Sequence, residues 1–354
     1  MKIRLLTSVL LIAFVASACA EAPQAFRTSE LLGNVNDYVF TLSFPQSYVC
    51  IIDKNSHKIV GRIKTREAAT DLAVASNGKL YVSIEGLHGE GRFVQVIDPS
   101  LQRVIKEIKV PPAPSRIVFT GGKVYVAHYI DVGDGSGFDL TAIDTATDEV
   151  IRSLKTQGMV NDMLPLGDQL LIALHGGRRG ESGILILDSK SDKFEDFIEL
   201  PSSVGAAPTR SMIVIGNKLY APILPAATGD PNAPQPPQTQ ICIIDLELRK
   251  QIKTITVPEW PFSLAKVEST LYISHVNPYD GSGQYVSVLD TKSEEMISTI
   301  DVGMPPKCLL AVGTQIWVMS SHTINIIDHE SCKVVDDFLV ETPSPLWIMD
   351  TLIP

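Results

Sequence analysis

Beyond residue 18 no segment holds eighteen uninterrupted apolar side chains, so no transmembrane helix is expected there. Runs of four or more basic residues are also missing. Nucleic acids and anionic membrane surfaces draw affinity from clustered Lys and Arg that release counterions, so neither is an expected partner. Cysteine is scarce, at five, with no CxxC pair, and the seven histidines form no tight group, which removes the usual zinc patterns. No Gly-x-Ser-x-Gly elbow, Walker loop or dinucleotide fingerprint occurs in a fitting context. The motif-bearing enzyme classes therefore find no support.

What is present is a chain of 354 residues with 45% apolar and 20% charged side chains, enough to bury a large core, so disorder, collagen and coiled coil are excluded. Glycine (24) and proline (23) are balanced and generous, which suits many turns rather than long helices. The formal net charge is −10. Removing Lys2 and Arg4 with an export signal leaves 28 basic against 40 acidic residues, a net of −12.

That signal occupies residues 1–18. Lys2 and Arg4 form the positive region, and Leu5 to Val15 form an apolar stretch too short to span a bilayer. Next comes Val15-Ala16-Ser17-Ala18-Cys19, which resembles the lipobox of bacterial lipoproteins and makes Cys19 the expected lipidation site. Ala16 stands where a larger aliphatic residue is usual, and Ala16-Ser17-Ala18 also fits ordinary signal cleavage, so a soluble secreted or periplasmic product is the alternative. The expected organisation is a signal over 1–18, a linker over 19–36 and one domain over 37–354. The remaining cysteines, Cys50, Cys242, Cys308 and Cys332, are expected as buried small hydrophobes rather than bridges.

The domain repeats. A β-branched strand ending in Asp recurs as Val49–Asp53, Val94–Asp98, Leu140–Asp144, Ile184–Asp188, Ile241–Asp245, Val286–Asp290 and Ile324–Asp328, with the aspartates 45, 46, 44, 57, 45 and 38 residues apart. Each copy continues through a polar turn into an alternating strand such as Val104–Ile108, then an apolar strand such as Arg116–Phe119, a Gly turn and an aromatic strand such as Leu80–Ser83. A period near 45 built only of strand signals indicates four-stranded blades. The elements Leu80-Tyr81-Val82-Ser83, Val96-Ile97-Asp98-Pro99 and Val110-Pro111-Pro112-Ala113-Pro114 resemble the YVTN-type β-propeller repeats of bacterial and archaeal extracytoplasmic proteins, over about residues 37 to 354. The fold expected is all-β: a seven-bladed β-propeller of four-stranded antiparallel blades. Leu346–Asp350 matches an innermost strand and Tyr38–Leu42 an aromatic second strand, so the ring is expected to close by pairing its N- and C-terminal strands. The resemblance implies nothing about the ligand.

One face carries long connections from second to third strands, at about 85–92, 128–138, 175–183, 224–239 and 275–284, while the opposite turns are short. Binding residues favour loops displayed on a rigid scaffold, so this face is expected to work. His128, His175 and His275 recur at the starts of three of these loops, with Asp134, Glu181 and Asp280 nearby. They are candidate ligands for a polar group or metal, or structural residues at turns. Asp71, Arg116, Asp162, Ser211, Ser263 and Cys308 fall at equivalent entrances to the innermost strands, with Arg210 beside them. Mixed Asp and Arg there fits a small polar ligand, and also fits a channel lining without function. Trp260 in a Pro-rich turn is a candidate stacking platform or an edge cover.

The function expected is non-catalytic binding or scaffolding at the cell envelope, with a protein, peptide, glycan or small polar molecule as partner. Membrane contact is expected only through a lipid on Cys19, and no cofactor is expected. The alternative is a metal-dependent, lactonase-like propeller hydrolase with carboxylates at the channel mouth.

Overall fold

A computed structural model describes residues 34–43, 47–66, 68–86, 90–128, 139–156, 158–175, 182–200, 211–223, 240–277, 281–320, 322–340 and 352–353. The signal segment, Cys19, Arg210 and the Pro-rich stretch 224–239 lie outside the described residues.

The strands form seven sheets of four, each antiparallel between sequential neighbours. Blade 1 joins Leu352–Ile353 to Tyr38–Ser43, Tyr48–Asp53 and Lys58–Lys64. Blade 2 runs Ala69–Val74, Leu80–Ile84, Phe93–Asp98, Arg103–Lys109; blade 3 runs Pro114–Thr120, Lys123–His128, Asp139–Asp144, Glu149–Lys155. Blade 4 is Met159–Leu166, Gln169–His175, Gly183–Asp188, Lys193–Glu199, and blade 5 is Ile213–Ile215, Lys218–Pro222, Gln240–Asp245, Lys250–Thr256. Blade 6 is Pro261–Val267, Thr270–His275, Tyr285–Asp290, Glu295–Asp301, and blade 7 is Cys308–Val312, Gln315–Met319, Thr323–Asp328, Lys333–Leu339. The seven-bladed propeller read from the repeat is the fold.

Closure differs in its register. Phe40 and Thr41 pair with Ile353 and Leu352, so the closing strand lies at the extreme C-terminus. The segment 346–350 expected there lies outside the described residues.

The apolar core is divided among the seams rather than pooled at one centre. Each of seven buried clusters draws on two consecutive blades: Phe40, Ile51 and Ile63 meet Leu72 and Val82 between blades 1 and 2, and Tyr220 and Ile243 meet Leu264 and Ile273 between blades 5 and 6. The last seam is made the same way, with Val39, Cys50 and Ile52 against Trp317, Met319 and Ile326. Burial in every seam ties each blade to both neighbours, which leaves the toroid without an unpartnered sheet face. No disulfide links Cys50, Cys242, Cys308 and Cys332.

The repeated aspartate ends each third strand and turns the chain. Its carboxylate accepts backbone N–H groups two or three residues on, as Asp98 does from Ser100 (2.9 Å) and Leu101 (3.1 Å) and Asp290 from Lys292 (2.7 Å) and Ser293 (2.9 Å). The fourth residue after it is left-handed in all seven turns: His57, Gln102, Asp148, Asp192, Arg249, Glu294 and Cys332 have φ between 48° and 58°. A β-bulge two residues before each aspartate accompanies the turn. In several seams this left-handed residue also meets the aromatic of the preceding blade. Tyr81 donates to Asp148 and Tyr125 to Asp192, and Trp317 meets the His57 ring edge-on with centroids 5.3 Å apart. The period of 45 is thus a period of seam contacts. Among the described residues, no helix is long and apolar enough to cross a membrane.

Candidate functional site

The innermost strands bring Asp71, Arg116, Asp162, Ser211, Ser263 and Cys308 to one level, as their spacing implied. Their side chains then reach sideways. Asp71 accepts the Ile117 amide at 3.1 Å, Asp162 the Met212 amide at 2.8 Å, Ser211 Oγ the Leu264 amide at 2.9 Å, and Ser263 Oγ the Leu309 amide at 3.0 Å. In each case the donor is the backbone of the next blade, one residue past the equivalent position. These groups are inter-blade ties, which satisfy amides that the edge of a first strand leaves over.

Arg116 breaks the series because a guanidinium has nothing to accept with. It sits between Asp71 (3.8 Å) and the Asn161 carbonyl (3.3 Å to Nε) and is largely buried. Asp162 shares its field. Close burial pushes the Asp162 carboxyl up to about 7, against the opposing pull of Arg116 and of the Met212 and Met163 amides.

The three loop histidines occupy one register position, opposite Pro114, Met159 and Pro261, but are held differently. His128 is 1% exposed, with Nδ1 on the Pro112 carbonyl (3.0 Å) and Nε2 on the Thr141 hydroxyl (2.9 Å). A carbonyl only accepts, so Nδ1 donates to it, and in the neutral ring Nε2 then accepts from Thr141. Both ring nitrogens are engaged by the fold. His175 is half-buried, and its Nδ1 has no partner among the described residues.

His275 is buried and donates through Nδ1 to the Glu259 carbonyl at 2.8 Å. Burial holds its pKa below the ordinary histidine value, so at neutral pH it is an uncharged imidazole whose Nε2 is an acceptor. That nitrogen is buried and has no partner among the described residues. A cavity of about 300 Å³ lies here, lined by Pro258, Glu259, Trp260, His275, Asn277, Tyr285, Ser287 and Thr299 among others.

Trp260 stands on this cavity in an unusual backbone state. Its φ of 59° is left-handed, as at the equivalent Ala68 (55°) and Ala113 (51°). Its carbonyl accepts from Val276, as that of Ala68 does from Glu85. The conformation belongs to the repeat, whereas the indole belongs to this blade. Tyr285, at 44% exposure, adds a second ring.

Sequence reasoning singled out His275 and Trp260 but missed Ser287, Tyr285 and Glu259. A signal existed for Ser287, a hydroxyl inside an otherwise apolar repeat strand. The opposite face holds a larger groove, about 770 Å³, lined by Asn34, Ala75, Asn77, Lys79, Ser100 and Phe119 among others. No group of three His, Cys, Asp or Glu residues arranged for a metal ion occurs among the described residues. The loops bearing Asp134, Glu181 and Asp280, like Arg210, lie outside them.

No family model matches the chain, and no curated protein matches it in sequence. Solved structures do resemble it. Hydrazine synthase of Kuenenia stuttgartiensis is 19% identical, with 79% of this chain and 89% of that one covered and a TM-score of 0.63. Apo AztD from Citrobacter koseri is 13% identical over 89% and 98%, with a TM-score of 0.55. BamB from Moraxella catarrhalis is 15% identical over 86% and 83%, with a TM-score of 0.51. At these identities the likeness is one of fold, and it places the chain among β-propeller proteins whose names already span more than one kind of task.

Proposed function

We propose that this chain is a non-catalytic binding or scaffolding propeller of the cell envelope, built of YVTN-type repeats, exported by residues 1–18 and anchored by a lipid on Cys19. The observation that carries the reading is the commitment of the channel-mouth polar groups. Asp71, Asp162, Ser211 and Ser263 accept amides of the next blade, and both nitrogens of His128 are held by the fold. A hydrolytic metal centre needs several such groups free to converge on one ion. A cavity in blade 6, lined by Trp260, His275 and Tyr285 among others, is the concave site on the elaborated face that this reading favours.

Two measurements on the mature chain test this. Elemental analysis is expected to find no stoichiometric metal, and one tightly held ion per chain would favour the hydrolase instead. Crosslinking in the native envelope is expected to map to the long second-to-third connections. Contacts confined to the opposite turns near Asn77, Gly122 and Asn217 would move the working surface to the other face. Mass spectrometry of the mature N-terminus decides the anchor, since an unmodified chain would make the protein soluble.

A further inference from the structure

The face opposite the long loops carries the groove of about 770 Å³, walled by the entry to blade 1, by blade 2 and by Phe119 of blade 3. Its polar walls are already committed. The Asn77 amide donates to the Thr145 carbonyl at 2.9 Å, Lys79 Nζ donates to Asp148 at 2.6 Å, and the Asp98 carboxylate accepts the Ser100 and Leu101 amides at 2.9 and 3.1 Å. Its apolar walls are not. Val35, Val74 and Phe119 line the groove half-buried, each packed against a seam cluster yet still open to the groove. The unmet demand of this surface is therefore apolar cover.

One end of the groove is the chain's own entry to the ring. Asn34 and Asn36 line it, on a single helical turn, Val35–Asp37, that Asn34 caps by accepting the Asn36 amide at 3.1 Å. Lys54 Nζ donates to the Asn36 carbonyl at 2.6 Å, which pins this turn to blade 1. The sequence leading into it reads Phe26-Arg27-Thr28-Ser29-Glu30-Leu31-Leu32-Gly33. We infer that Leu31 and Leu32 occupy the groove and cover Val35, Val74 and Phe119, so that the segment joining Cys19 to the ring is docked on this face. An extended chain advances at most about 3.3–3.6 Å per residue, so Leu31, three residues before Asn34, is confined to about 11 Å of the groove wall. At that tether length the pair meets the groove at an effective concentration of about millimolar, which a free peptide or partner segment would have to match. The groove volume lies within the range of about 300–1,000 Å³ that takes a drug-sized molecule, and so has room for two leucine side chains and their backbone. With a lipid on Cys19, as proposed above, a tether docked here leaves the ring on the side opposite the long loops, which are thereby turned away from the membrane.

Trypsin reads the docking directly, because Arg27 lies four residues before Leu31 and a protease needs an extended stretch on both sides of the bond it cuts. In the mature chain, Leu31→Ser with Leu32→Ser is expected to speed cleavage after Arg27 by about tenfold or more, to raise amide exchange at residues 74–79, and to lower the melting temperature by a few degrees. Ala20→Ser with Ala22→Ser should change none of these. A synthetic peptide of residues 24–33, added at millimolar concentration, should restore exchange protection in the Leu31→Ser, Leu32→Ser variant. Cleavage and exchange indifferent to the leucine pair would overturn the docking. So would protection that appears only as protein concentration rises, which would seat the tether of a second copy in the groove. An unlipidated Cys19 beside a docked tether would remove the membrane orientation and leave the docking in place.

Discussion

The Asp162 carboxylate accepts the Met212 amide at 2.8 Å across the seam between blades 4 and 5, while burial holds its pKa near 7. Its folded pKa lies above the unfolded value near 3.8, so the folded state holds more protons between about pH 4 and pH 7. Stability from this group is therefore highest below pH 4 and falls as pH rises to 7. The penalty above pH 7 is roughly 2–3 kcal/mol after allowance for the partial exposure of the residue. Asp162→Asn keeps the acceptor and removes the charge. It is expected to raise the melting temperature by roughly 2–5 °C at pH 8 and to make little difference at pH 4. Calorimetry at both pH values checks this, and an equal effect at each would show that the charge is not the cause.

The turn aspartates act with the opposite sign. Hydrogen bonds from their turns hold Asp53, Asp144, Asp188, Asp290 and Asp328 below the usual carboxylate value, and Asp98 is likewise lowered although burial opposes it. Their stabilisation is present above the unfolded pKa and lost as pH falls through the folded one, so acid unfolding should begin below about pH 4. Asp98→Ala leaves the Ser100 and Leu101 amides without their acceptor and should cost about 1 kcal/mol in denaturant unfolding. Asp98→Asn should cost less, because it still accepts.

His128→Ala is expected to destabilise the fold by about 2–4 kcal/mol, since it empties a buried site and strands the Thr141 hydroxyl and the Pro112 carbonyl. Denaturant unfolding with an unchanged slope would measure it, and a loss below about 0.5 kcal/mol would contradict the structural role.

That expectation shows where the sequence was legible. The fold was readable because Asp53 and its six equivalents recur at a spacing near 45, and that spacing records one local turn and one seam contact. The closing register was not, because Phe40 pairs with Ile353 through a two-residue strand too short to carry a pattern. The site was less legible still. His128 and His275 begin near-identical loops, and what separates them is Thr141 against Ser287, residues distant in sequence whose effect appears only once the strands pair.

Deleting residues 352–354 removes the strand that pairs with Phe40 and Thr41 but leaves the buried cluster of Val39, Ile52, Trp317 and Ile326 in place. Closure here rests on packing as well as on hydrogen bonds. The truncated chain should stay folded, melt a few degrees lower, and lose amide-exchange protection first along Tyr38–Ser43. Global unfolding of the truncation would mean that the terminal strand alone holds the ring shut.

Trp260 allows a direct test between a contact residue and a structural cover. Truncating a buried Trp costs about 3–5 kcal/mol because a cavity is left behind. Trp260 is half-buried at the cavity rim with φ at 59°, a conformation that costs a residue with a Cβ about 1–2 kcal/mol and costs glycine little. In Trp260→Gly, relief of that strain is opposed by the greater freedom of glycine in the unfolded chain and by the loss of partial burial. These changes nearly cancel, so the variant is expected within about 1 kcal/mol of the parent. Trp260→Ala keeps the strain and should be slightly less stable than the glycine variant. Equilibrium unfolding of both decides the matter: a loss above about 3 kcal/mol in Trp260→Gly would make the indole a structural cover for the blade edge.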